Sequence, residues 1–111
     1  MSELPRVTKD SERLIVLLYT RYVVSVKNGI PRNEARLFGD CDQIASLFCP
    51  EKPVEDVSDL LFELARADYL EVSVYDDMPC ECKLTLPCIV MMENRFKDGI
   101  KSILDFIANL V

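Results

Sequence analysis

At Asp68 the apolar residues of this chain change their spacing, and few folds accommodate that change. Before it, Val57, Leu60, Leu61 and Leu64 recur at the three- and four-residue intervals of one helical face. After it, "YLEVSVY" alternates and is rich in β-branched and aromatic residues. "CECKLTL" alternates again, with Cys80, Cys82, Leu84 and Leu86 on one side. Successive side chains turn by about 100° on a helix and by about 180° on a strand, so neither element supports the other's pattern. The spacing therefore predicts a helix over 54–67 running into a two-stranded hairpin over 69–86, with "DDMP" as its turn.

The flanking segments read as helices. Residues 1–10 form a flexible N-terminal arm, and Thr8 or Asp10 caps a helix running from about Ser11 to Lys27. Ile15, Leu18, Tyr19, Tyr22, Val23 and Val26 line one face of it, while Leu14, Leu17 and Val24 add apolar surface elsewhere. A helix apolar over most of its girth belongs at the centre of a fold. Asn28-Gly29 ends it. Pro31 opens a short helix, "PRNEARLFG", and Asp40 caps the next, "CDQIASLF". The prolines of "CPEKP" break the chain before Pro53 opens the helix over 54–67. Glu55 and Asp56 fall in its first turn, where carboxylates favour the helix dipole. Thr85 caps a long last helix that continues from Pro87 to Val111. The expected class is α+β, mostly α, with a domain over 11–86 and a C-terminal helix over 87–111.

Charge separates the regions. Residues 1–38 hold seven basic and four acidic residues, a net of +3; residues 39–88 hold three and twelve, a net of −9. The middle of the chain would repel phosphate. The polar N-terminus "MSELPRVTKDSERL" lacks the apolar region of a signal peptide, and no apolar run is long enough to span a bilayer. A cytoplasmic protein without membrane association is expected.

The order helix, helix, turn, helix, hairpin, helix resembles a winged helix-turn-helix domain over roughly residues 11–95. Three features carry the resemblance. Leu61, Leu64 and Tyr69-Leu70 look like the run from recognition helix into wing; the two-stranded wing follows; and "LTLPCIVMME" (84–93) is similar to the "LT..G...E" of small bacterial and phage members. Asp68 and Cys88 stand where the family usually has glycine. The resemblance implies that the helix within the segment 54–70 enters the DNA major groove. Yet that helix bears Glu55, Asp56, Asp59 and Glu63 against Arg66 alone, and the wing tip is Asp76-Asp77. Lys and Arg contacts to phosphate supply most non-specific DNA affinity. Three readings of the acids remain open: a solvated face, a surface for a partner protein's basic patch, or base readout. The second names Glu55, Asp56, Asp59, Glu63, Asp76 and Asp77 as partner-binding residues and disfavours nucleic acid. Arg13, Arg21, Lys27, Arg32 and Arg36 lie elsewhere, as a basic stripe or as scattered solvated charges.

No catalytic constellation stands out, and no cofactor is expected. The chain has no histidine to act as a base near neutral pH and no glycine-rich phosphate loop. Five cysteines in a chain without a signal peptide point to reduced thiols. Cys80 and Cys82, spaced C-x-C, would need Cys41 or Cys49 beside them to hold zinc. Near the C-terminus, Phe96, Ile100, Ile103, Ile107 and Leu110 repeat as a two-heptad seam. Such a helix either folds back on its own domain or pairs with a second copy; the seam makes a homodimer the expectation. The function expected is that of a small phage-related regulatory or adaptor protein acting through protein contacts. The alternatives are a DNA-binding transcriptional regulator and a metal- or redox-sensing module.

Overall fold

The computed structural model describes residues 7–109, an α+β arrangement that is mostly helical around a three-stranded antiparallel sheet. Helix α1 spans Lys9–Lys27, and the Thr8 hydroxyl caps it by accepting the Ser11 N–H. Helix therefore begins inside the arm expected over 1–10, and residues 1–6 lie outside the described residues. Leu14, Ile15, Val16 and Leu18 are each at most 1% exposed, so α1 is central, as its all-round apolar surface requires.

The segment expected as one short helix divides in two. Helix α2 is a single turn, Arg32–Ala35, and Leu37–Gly39 is strand β1. The reason lies at Arg36. Its carbonyl accepts the Leu84 N–H at 3.0 Å, and its Nε donates to the Leu84 carbonyl at 2.9 Å. These bonds turn the chain out of the helix onto the sheet. Asp40 then caps α3, Cys41–Phe48, in a reciprocal box: Asp40 accepts the Gln43 N–H, and the Gln43 side chain accepts the Asp40 N–H. Gly39 makes room for that box. Its φ is +85°, and a Cβ there would collide with Gln43 Oε1.

Helix α4 spans Val54–Arg66 and buries Val57, Leu61 and Leu64 completely, with Leu60 half-buried beside them. Each fully buried side chain contributes roughly 1.5–3 kcal/mol. Asp68, at φ 68°, turns the chain out of the helix, and Leu70–Tyr75 (β2) pairs with Met78–Leu84 (β3). The sheet order is β1-β3-β2. The turn is Asp76-Asp77 alone, since Met78 and Pro79 already belong to β3. The expected alternation of β3 also needs correcting. Ser73 pairs with Glu81 but Val74 with Pro79, leaving Cys80 as the extra residue of a bulge. Pro79, Cys82 and Leu84 face the core, Cys80 is exposed, and Leu86 is exposed on the next helix.

The long last helix is broken. Thr85 caps α5, Leu86–Arg95, by accepting the Cys88 N–H, and its own hydroxyl donates to the Asp68 carbonyl at 2.8 Å. Helix α6, Ile100–Ala108, follows only after Phe96 leaves helical geometry (φ −113°, ψ 57°) and Gly99 turns at φ +83°. The break folds α6 back against α1. Arg95 links the pieces: its Nη1 donates to Glu12 Oε2 at 3.4 Å, and its guanidinium lies 4.2 Å from the centre of the Phe106 ring. The expected seam is thereby dismantled. Phe96 and Ile103 are 6% and 1% exposed within the chain's own core, Ile107 packs against that core, and Ile100 is half-buried. Leu110 lies outside the described residues.

Candidate functional site

The six acids singled out in the sequence separate into three places. Glu55, Asp56 and Asp59 lie exposed along the first two turns of α4. Asp56 and Asp59 line a hollow of about 220 Å³ together with Asp10, Lys52 and Leu60. Lys52 gives that hollow no free cation, because its Nζ is engaged by Asp10 at 3.2 Å.

Glu63 has turned elsewhere. It accepts the Thr8 N–H, the Thr8 hydroxyl at 3.1 Å and the Ser11 hydroxyl at 2.8 Å, and so fastens the start of α1 to α4. Burial pushes its pKa up, but these bonds and the charge of Arg66 outweigh burial and hold the carboxyl below its ordinary value. Glu63 is a brace between helices and drops out of the surface expected to meet a partner. Nothing in the residue spacing signals this role, since Ser11 is 52 positions away.

Asp76 and Asp77 form the hairpin tip, both left-handed at φ 54° and 65°, as a tight two-residue turn between twisted strands demands. Both are exposed, next to Val74 at 54% and Tyr75 at 78%. The tip leans over the start of α3. Asp40, Asp42, Asp76, Tyr75, Met78 and Pro79 are among the residues lining a hollow of about 270 Å³ there. Asp40 and Asp42 thus join Asp76, a grouping that requires β1 to carry the chain across the sheet. Among the described residues, Glu55, Asp56, Asp59, Asp76 and Asp77 make no ion pair. What these surfaces offer chemically is acceptor oxygens and negative charge.

The basic residues of the first two helices differ in their engagement. Arg36 is occupied with Leu84, whereas Arg13, Arg21, Lys27 and Arg32 are exposed. The cysteines are all free thiols. Cys41 comes near Cys82, but Cys80 and Cys82 do not face the same way: one is exposed and the other buried. Burial drives the thiol pKa of Cys41 up to about 11 and those of Cys82 and Cys88 up to about 12, and it raises that of Cys49. Among the described residues, no group of three or more potential ligands could hold a metal ion. None of the described helices is long and apolar enough to cross a membrane.

No family model matches the chain, and neither does any curated protein or solved structure.

Proposed function

We propose that this chain is a regulatory or adaptor module of winged-helix type that works by presenting its acidic elements to a basic surface on a partner protein. The arrangement that supports the winged-helix reading is α1, β1, α3, α4 and then the β2–β3 hairpin, with β1 paired to β3. In such a domain α4 and the hairpin tip are the elements that would approach DNA. One observation carries the functional reading: Glu55, Asp56, Asp59, Asp76 and Asp77 stand exposed on those two elements without an ion-pair partner among the described residues. Unpaired charge of one sign speeds encounter with the opposite sign and rejects its own. DNA phosphates are rejected by the same field that draws in lysine and arginine.

The experiment is affinity capture from cell extract followed by mass spectrometry. The unaltered chain is compared with a variant carrying Asp56→Lys, Asp59→Lys, Asp76→Asn and Asp77→Asn. All four positions are exposed and asparagine tolerates the left-handed backbone of the hairpin tip, so the fold should survive, and circular dichroism checks this. The proposal expects proteins with basic surfaces in the first capture and their loss from the second. The same captured set from both chains would contradict it.

A further inference from the structure

A second surface has an apolar character that the acids of α4 and the hairpin tip do not share. Between the C-terminal half of α1, strand β1 and the end of α3 lies a groove of about 270 Å³. Ile30, Leu37 and Leu47 line it while 42%, 45% and 63% exposed, and Phe48 forms part of its wall. Contiguous apolar surface with a polar rim marks an interaction site on a small soluble domain. The rim indicates what occupies it. Arg21 and Glu34 both line the groove, both are exposed, and neither makes an ion pair among the described residues. A surface bearing one cation and one anion about an apolar centre is complementary to itself. With a two-fold axis passing between them, each residue meets its counterpart's partner and the pair forms twice.

We propose that this groove lies in the self-association face of the protein, covered in a two-fold dimer by the same face of a second copy. Arg21 of each copy pairs with Glu34 of the other, and the Leu47 side chains cover the apolar floor. A strongly basic partner would find a counter-charge among the lining residues only in Glu34. This face replaces the C-terminal seam, whose Phe96 and Ile103 are spent on the chain's own core. It does not depend on the acidic-surface reading.

The test is sedimentation velocity on the full chain over a range of concentrations, with circular dichroism to check folding. The unaltered chain is expected to dimerise reversibly. Arg21→Glu and Glu34→Arg, made separately, should each weaken association by about tenfold or more, since each places like charges together twice. Mixing the two single variants should restore the dimer. In the mixed pair one contact keeps the original Arg21 and Glu34, and the other joins the two substituted side chains with their charges exchanged, so both contacts are again of opposite sign. Leu47→Asp should weaken association independently of the charges. A chain that stays monomeric throughout would overturn the proposal. So would single variants that associate as the unaltered chain does, or a mixture that fails to associate.

Discussion

The Ser11 hydroxyl donates to Glu63 Oε1 at 2.8 Å and so joins the start of α1 to α4. Thr8 adds its own N–H and hydroxyl to the same carboxylate. Glu63→Gln replaces one acceptor oxygen with an NH₂ group that faces a donor. It should lower stability by about 1–3 kcal/mol at neutral pH. The pH dependence has a definite sign. Folding lowers the pKa of Glu63 from its ordinary 4.5, so the folded chain binds fewer protons at this site. Its contribution is present above that value and lost as pH falls through the lower folded-state pKa. Urea titrations of both chains should differ at pH 7 and converge in acid. Equal stability at pH 7 would show that the brace contributes nothing.

Gly99 decides between a continuous and a broken C-terminal helix. In a continuous helix Gly99→Ala would stabilise by about 1 kcal/mol. At φ +83° the alanine Cβ meets no neighbour within 4 Å, and only backbone strain operates. The substitution should therefore destabilise by about 1 kcal/mol. Chemical denaturation reads the sign directly, and a gain in stability would contradict the break.

The thiols test the bulge in β3. Cys80 is exposed because it is the extra residue opposite Ser73 and Val74, while Cys41, Cys49, Cys82 and Cys88 are buried with raised pKa values. An alkylating reagent at mildly alkaline pH should label one thiol quickly and the rest only after denaturant is added, because the thiolate is the reactive form. Mass spectrometry should place the label on Cys80. Protection of Cys80 alongside Cys82 would mean that the strand alternates without a bulge, since strict alternation puts both on the core face.

These cases show what residue spacing conveyed and what it could not. The helix over 54–66 and the hairpin after Asp68 follow from local periodicity, and Asp40 and Thr85 act as the caps their positions suggest. β1 was hidden because three residues, Leu37–Gly39, are too few to show alternation; they become a strand through Arg36 and Leu84, 48 positions apart. The bulge at Cys80 shifts parity by one residue, which a strict two-residue count assigns to the wrong face. The break before α6 did leave a signal, the "KDG" at 97–99, outweighed by a heptad spacing that reads equally well as a core stripe. Of the six acids proposed for a partner, Glu55, Asp56, Asp59, Asp76 and Asp77 remain available on the surface. Glu63 does not, because its donors come from an element remote in sequence.

The acidic α4 and hairpin tip are proposed to select a basic polypeptide and reject DNA. Fluorescence anisotropy should be run in parallel on a labelled arginine-rich peptide and a labelled short DNA duplex, at low and physiological salt. The peptide should bind, weaken as salt rises, and lose affinity when Asp56 and Asp59 are changed to lysine and Asp76 and Asp77 to asparagine. The duplex should bind no tighter than the non-specific range of about 10⁻⁴ to 10⁻⁶ M at physiological salt. Nanomolar binding to a duplex, or peptide affinity indifferent to the four substitutions, would contradict the account.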